Sequence, residues 1–146
     1  MITSLFIKDF ILVDHTEVIF QPGFNIITGE TGAGKSIIIN ALGQLCGERS
    51  SHELVKSGAK KAVIEAHLSL SADPEIKEIA GKLEIAEDLP DIIIRKEIYA
   101  NGNTRIFLND SPVTLTNLNL LSTLLFELHG QHQHQRLLHP ENHIDY

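Results

Sequence analysis

The sequence has one cysteine, no tryptophan and few aromatic residues, which make up 5% of its 146 residues. The single thiol, Cys46, cannot form an internal disulfide, and its apolar neighbours predict a position in the core. No apolar run approaches the roughly 20 residues that a membrane-spanning helix needs, and the acidic residues near the N-terminus are unlike a signal peptide. We therefore expect a cytoplasmic protein that has no membrane partner.

Positive charge is also scarce. The chain has 12 lysines and arginines against 19 aspartates and glutamates, which gives a net charge of −7. This balance argues against a large surface for nucleic-acid phosphates. Apolar residues make up 42% of the chain, an ordinary share for a soluble protein, so its length can support one domain, or part of one, with a buried core.

Alternating β-branched segments predict strands, and apolar residues at helical spacing predict helices. The predicted strands are residues 3–8, 13–20, 24–28, 62–70, 92–99, 104–108 and 124–128; the predicted helices are residues 35–46 and 114–122, with a further helix start at 73–74. Asn101-Gly102 predicts a tight hairpin, Asn109-Asp110 a second turn, and Gly47 a helix C-cap. This order predicts an α/β fold with an added antiparallel β-sheet, unlike the regular alternation of a small nucleotide kinase.

The strongest motif is a run of eight residues that matches G-x-x-x-x-G-K-[ST] between a predicted strand and a predicted helix. The run is Gly29, Glu30, Thr31, Gly32, Ala33, Gly34, Lys35 and Ser36. In such a phosphate-binding loop (P-loop), backbone N–H groups and the helix dipole converge on an anion. Lys35 supplies a positive charge for the β- and γ-phosphates, and the Ser36 hydroxyl suits a Mg²⁺ ion. The motif therefore predicts that these residues bind ATP with Mg²⁺.

The residues around the P-loop narrow the family. Residues 5–10 (LFIKDF) and 20–27 (FQPGFNII) precede the loop in an order that resembles the heads of the SMC-like ATPases, a group of ABC type that includes the RecF and RecN proteins. The P-loop sequence GETGAGKS is typical of the RecN family of bacterial DNA-repair ATPases. The stretches LCGERS (45–50), PVTL (112–115) and LHGQHQHQ (128–135) are also similar to that family. The resemblance covers nearly the whole chain.

The resemblance implies roles for particular residues and partners. Gln131 corresponds to the Q-loop glutamine, which meets the Mg²⁺ ion and the attacking water, so it joins Lys35 as a catalytic residue and Ser36 as a metal ligand. Arg49 resembles an arginine that reaches towards nucleotide or DNA. In the intact protein, the resemblance implies association with the nucleoid, action on DNA double-strand breaks, and ATP-driven engagement with a second head in a homodimer.

Other parts of such a head do not occur in this sequence. It has no LSGGQ-like signature segment, no apolar strand that ends in paired acidic residues (a Walker B motif) and no heptad-bearing coiled coil. We therefore expect residues 1–146 to be the incomplete N-terminal lobe of an ABC/SMC-type P-loop ATPase head. Such a lobe is expected to bind ATP weakly and to hydrolyse it little or not at all.

Two other classes of P-loop protein fit the sequence less well. A small kinase needs clustered arginines in a lid, whereas the four arginines of this chain (Arg49, Arg95, Arg105 and Arg136) are widely spaced. A transporter-type ATPase subunit needs an aromatic residue near the N-terminus that stacks on adenine, but Phe6 and Phe10 lie in an apolar strand pattern.

A zinc site at His129, His132 and His134 has no thiol partner nearby, and the glutamines between them fit a Q-loop better.

Overall fold

A computed structural model describes residues 1–29, 33–70, 81 and 91–126 of the chain. In this part, six strands form one antiparallel sheet in the order β2-β1-β3-β4-β5-β6. The strands are β1 (Ile2–Phe10), β2 (Val13–Ile19), β3 (Lys61–Ser69), β4 (Asp91–Tyr99), β5 (Thr104–Leu108) and β6 (Ser111–Val113). The helices are α1 (Ala33–Leu45), a short 3-10 helix (His52–Leu54) and α2 (Leu115–Leu125).

The core lies on one face of the sheet because the strands alternate between buried and partly exposed residues. In β3 and β4, every second residue from Ala62 to Leu68 and from Ile92 to Ile98 is buried. Helix α1 lies against these two strands and buries Ile37, Ala41 and Leu45, which are spaced four residues apart on one side of the helix. Helix α2 adds Leu118 and Leu121 to the same cluster.

The opposite face of the sheet carries paired charges, and we call it the outer face. The Lys61 ammonium lies 2.8 Å from a Glu97 carboxylate oxygen. The Arg95 guanidinium lies 3.0 Å from Asp110 and 3.7 Å from Glu65, and it stacks over the Phe107 ring at 4.7 Å from the ring centroid. Because these charges are compensated across neighbouring strands, the outer face can stay half-buried without an apolar cover.

The two turns that the sequence predicts at 101–102 and 109–110 are present. Gly102 has a φ of 87° in the turn between β4 and β5, and Asn109 and Asp110 have φ values of 46° and 66° between β5 and β6. These are the left-handed conformations that tight hairpin turns require. The Thr114 side chain accepts a hydrogen bond from the Asn117 N–H and caps α2, so the predicted helix at 114–122 is confirmed.

One predicted strand is wrong, and a second is wrong at its start. Residues 24–28 form no strand, and Phe24 and Ile26 are 90% and 71% exposed. The Asn25 side chain instead bonds to both the N–H and the carbonyl of Gln21, and no described strand pairs with this segment. The predicted strand at 124–128 is also incorrect at its start, because α2 continues to Leu125. The helix start predicted at 73–74 lies outside the described residues.

Helix α1 is less deeply buried than its apolar composition suggests. The sequence predicts a helix covered on most of its surface, yet Ile39 is 59% exposed. The helix ends as predicted, because Gly47 adopts a φ of 93° and the Gly47 N–H donates to the Gln44 carbonyl. A side chain at Gly47 would also collide with its surroundings, since an added Cβ would lie 1.6 Å from the Asn119 Oδ1 atom.

We predict that Gly47→Ala lowers the free energy of unfolding by more than Gly102→Ala does. Both changes place alanine at a positive φ, which costs about 1–2 kcal/mol. Only Gly47→Ala adds a collision, because no described residue lies within 4 Å of a Cβ at Gly102. Urea unfolding of both variants measures the difference, and the double variant Gly47→Ala/Asn119→Ala should recover part of it. Equal losses would contradict the close contact between Gly47 and Asn119.

Candidate functional site

The P-loop leads directly into α1. The helix begins at Ala33, two residues earlier than the sequence predicts, so Gly34, Lys35 and Ser36 lie in its first turn and are exposed. The Lys35 ammonium donates a 2.8 Å hydrogen bond to the Gly29 carbonyl. This bond spans the loop and brings the first residue of the motif close to the lysine near its end.

The first turn of α1 is suited to bind an anion. The first four N–H groups of an α-helix have no carbonyl partner within the helix, and in α1 they belong to residues 33–36. The helix dipole adds partial positive charge at this end, and the first turn contains no acidic residue that would oppose it. Apart from its chain neighbours and the backbone of α1 itself, no described residue lies within 4 Å of the position that a Gly34 Cβ would occupy.

The other end of α1 is fixed by a buried lysine from β4. The Lys96 side chain is 1% exposed, and its ammonium donates to the Gln44 carbonyl at 3.0 Å, to Gln44 Oε1 at 3.1 Å and to the Glu48 carbonyl at 2.7 Å. The last carbonyls of a helix lack partners within the helix and carry partial negative charge. Lys96 therefore satisfies carbonyls at the C-terminal end of the helix that begins at the P-loop.

Helix α2 holds the same end of α1. The Ser122 hydroxyl donates to the Cys46 carbonyl at 3.1 Å, and Asn119 packs against Gly47. The Ser50 hydroxyl donates to Gln44 Oε1 at 2.7 Å, so this oxygen accepts from both Ser50 and Lys96. One end of α1 is thus enclosed by β4 and α2, while the P-loop end faces solvent.

The described residues cover part of the predicted site. Gly29, Ala33, Gly34, Lys35 and Ser36 come together in the loop and the first helical turn, as their spacing in the motif requires. Glu30, Thr31, Gly32 and Gln131 lie outside the described residues, and so does the histidine-rich stretch from His129. Among the described residues, no group of histidine, cysteine or carboxylate side chains is placed to hold a metal ion.

A groove of about 750 Å³ lies beside the C-terminal end of α1. Its lining includes Arg49 from the connection after α1, Arg105 from β5, and Lys96 at the end of α1. Neither arginine forms an ion pair with a described residue, and Arg105 stacks on the Tyr99 ring at 5.6 Å from its centroid. The structure thus places the predicted Arg49 in the same groove as Arg105.

Lys96 and Arg105 were not among the site residues predicted from the sequence. A signal for Lys96 was present, because it occupies an inward position in β4 between Ile94 and Ile98, where the alternation calls for an apolar residue. A charged residue at such a position is buried only when it has partners. The identity of those partners, the carbonyls at the end of α1, depends on how the helix crosses the sheet.

Comparison with known proteins places this architecture in a family. The family model for the RecF/RecN/SMC N-terminal domain matches residues 1–129. The chain belongs to this family. A DNA repair protein RecN from Xylella fastidiosa is 40% identical over 99% of this chain and 26% of its own length, and one from Bacillus subtilis is 35% identical over 99% and 25%. The resemblance to the N-terminal part of RecN is therefore confirmed.

Solved structures agree on the fold. An Smc head domain from Pyrococcus furiosus, solved with an extended coiled coil and the C-terminal domain of ScpA, superimposes with a TM-score of 0.68 at 22% identity and covers 84% of this chain and 32% of that chain. A structure from work on ATP-driven dimerization and DNA-stimulated activation of SMC ATPases gives 0.67 at 21%, covering 84% and 77%. These likenesses confirm the predicted ABC/SMC-type head lobe with its antiparallel sheet.

The chain spans about a quarter of the length of the curated relatives it matches. Within the described residues, no helix is both long and apolar enough to cross a membrane.

We predict that the stability contributed at Lys96 depends on pH. Burial lowers the pKa of Lys96 from 10.5 to about 8, although the Glu48 charge opposes the shift. Between these two values the unfolded chain binds more protons than the folded chain at this site, so the free energy of unfolding rises with pH. From pH 7 to pH 9.5, the gain of the unmodified chain relative to Lys96→Met should be about 1–2 kcal/mol.

Urea unfolding of both proteins at the two pH values measures this difference. The control is Lys61→Met, which removes a half-exposed ammonium from the outer face. Relative to this variant, the free energy of unfolding of the unmodified chain should not rise comparably with pH. A constant difference between the unmodified chain and Lys96→Met across this range would show that the pKa of Lys96 is not lowered.

Proposed function

We propose that this chain is the ATP-binding lobe of a RecN-like DNA-repair ATPase. The observation that carries the proposal is the P-loop at the start of α1, where Lys35 reaches back to the Gly29 carbonyl beside an exposed helix N-terminus with no acidic residue. The names of the relatives support a role in DNA repair. A structural neighbour from work on ATP-driven dimerization supports ATP as the nucleotide.

The proposed ligand contacts follow from the chemistry of the residues. The N–H groups of the loop and first turn hold the phosphates, and the cofactor-binding residues are those from Gly29 to Ser36. Lys35 exchanges its bond to the Gly29 carbonyl for the β- and γ-phosphate oxygens, a stronger partner because both groups are charged. The Gly29 carbonyl is left to water, which costs little because this segment is exposed.

Mg²⁺ is the proposed metal cofactor. Ser36 provides a hydroxyl in the first helical turn and Gln131 an amide oxygen, and both are oxygen donors of the kind that Mg²⁺ accepts. When bound, the ion neutralises charge on the phosphate oxygens. Gln131 also orients the attacking water, so Lys35 and Gln131 are the proposed catalytic residues.

Hydrolysis and DNA binding belong to the proposal for the intact protein. Residues 1–146 form one lobe of the head, and turnover needs a signature motif and an acidic strand end that this sequence does not contain. We propose that ATP engages two such heads in a homodimer at the nucleoid, and that hydrolysis releases them from broken DNA. This lobe alone binds ATP without efficient turnover.

Calorimetric titration with Mg-ATP tests the proposal. The unmodified chain should bind one equivalent, and Lys35→Ala should bind at least about tenfold more weakly because a charge-assisted contact to phosphate is lost. Lys61→Ala, a lysine paired with Glu97 on the outer face, should bind as the unmodified chain does. Equal binding by Lys35→Ala and the unmodified chain would contradict the P-loop assignment.

The role of Ser36 has its own test. Ser36→Ala should bind ATP in EDTA as the unmodified chain does but gain less affinity when Mg²⁺ is added, because one oxygen ligand of the ion is removed. Paired titrations with and without Mg²⁺ measure the gain. If Mg²⁺ strengthens ATP binding equally in both proteins, Ser36 is not a metal ligand.

A further inference from the structure

We propose that Lys96 is a positioning residue for the phosphate-binding turn, which it aligns from the opposite end of α1. This inference rests on the proposed function, because the turn is assigned to phosphate binding there. None of the hydrogen bonds of Lys96 involves a described residue of the P-loop. Its three hydrogen bonds all reach residues 44 and 48, beyond or within the last turn of α1.

Apolar packing is only part of what restrains a shift of α1 along its own axis. The helix packs on the core through the buried residues Ile37, Ala41 and Leu45, with Ile38 and Leu42 partly buried beside them. Such contacts hold the helix against the sheet, but the hydrophobic effect has no direction. Interdigitated side chains resist a shift along the axis, and directional bonds at the helix end add to that resistance.

Lys96 supplies such directional bonds from a fixed base. It lies in the middle of β4, where its backbone is paired with Ile64 of β3 on one side and Ile106 of β5 on the other. A strand with neighbours on both sides cannot move without breaking ladder hydrogen bonds. The sheet therefore fixes the position of the Lys96 Cα. The length of the Lys96 side chain and its bonds then restrain the distance between the sheet and the end of α1.

The bonds at the ammonium hold the helix end in more than one direction. An ammonium has three N–H donors, and Lys96 has three acceptors, two on Gln44 and one on the Glu48 backbone. Because the side chain is buried, a shift of α1 that lengthens these bonds leaves a charged group without partners, which is costly. Ser122 adds a single hydroxyl bond at Cys46, a weaker restraint of the same kind.

A helix transmits this restraint to its other end. Helix α1 has 13 residues and is about 20 Å long at 1.5 Å per residue. Its own hydrogen bonds make it stiff over this length, so an axial shift at Leu45 moves Gly34, Lys35 and Ser36 by nearly the same amount. Displacements of about 1 Å are enough to weaken a binding site built on oriented groups.

Two measurements on Lys96→Met test the inference. The first is hydrogen–deuterium exchange at the amides of residues 37–40, the first that are hydrogen-bonded within α1. The second is the Kd for Mg-ATP. The matched control is Ile98→Val, which removes one methyl group from the next inward position of β4 without touching the bonds to α1. Each variant is measured at a urea concentration that lies the same amount below its own unfolding midpoint.

The expected result is that Lys96→Met exchanges these amides roughly tenfold faster than Ile98→Val does, because the helix end is no longer restrained. The Kd for Mg-ATP should rise about tenfold over that of Ile98→Val. If Lys96→Met instead fails to fold, Gln44→Met removes the Oε1 acceptor, which Ser50 also uses, and leaves the two backbone carbonyl acceptors of Lys96 in place. It should change both quantities in the same direction by a smaller factor.

The outcomes separate the inference from the proposed function. Exchange in Lys96→Met (or in Gln44→Met, where the former does not fold) that equals exchange in Ile98→Val overturns the inference, whether or not ATP binds. Faster exchange with an unchanged Kd also overturns it, because the turn would then move without effect on phosphate binding. Absence of Mg-ATP binding by the unmodified chain contradicts the proposed function, while the exchange measurement still decides whether Lys96 positions the turn.

Discussion

The contact between Lys96 and the end of α1 joins the two parts of this lobe. On one side is a sheet whose strands are fixed by their ladders, and on the other is a helix whose first turn is exposed. A buried charge is costly unless it is fully bonded, so the three acceptors at residues 44 and 48 restrict where the helix can lie. The rest of the site, from the first turn of α1 to the Gly29 carbonyl, is arranged relative to that helix.

Helix α1 is held at its C-terminal end and exposed at its N-terminal end, an arrangement that suits a ligand-binding helix. Its C-terminal end is held by β4 and α2 through Lys96, Ser122 and the close approach of Asn119 to Gly47. Its N-terminal end presents exposed N–H groups and a lysine whose protein partner is an exposed carbonyl. A site whose supporting end is rigid and whose binding end is open needs little rearrangement when an anion arrives.

The segment before the P-loop exposes apolar side chains to solvent. Phe24, Ile26 and Ile27 are exposed, as is Ile39 on the outward side of α1. Large apolar side chains clustered in sequence at a solvent-exposed position commonly mark a contact surface. These residues flank the P-loop.

Local chemistry made much of the fold predictable from the sequence. The P-loop residues are contiguous, so the motif alone defines which groups meet at the start of α1. Asn101-Gly102 and Asn109-Asp110 encode hairpin turns within a few residues, and alternation predicted β3 and β4 because each has one buried face. The family was identified from contiguous stretches for the same reason. Each of these signals depends on neighbours in the chain.

The tertiary structure decided what depends on distant residues. The alternation of β4 indicates that Lys96 faces inward, but its acceptors on Gln44 lie 52 residues earlier in the chain and are brought to it only by the crossing of α1 over β3 and β4. Segment 24–28 has the composition of a strand, yet a strand forms only where another strand offers its N–H and C=O groups. Sequence determined the local elements and the phosphate-binding motif, whereas pairing and burial, which are properties of the assembled sheet and helices, decided the rest.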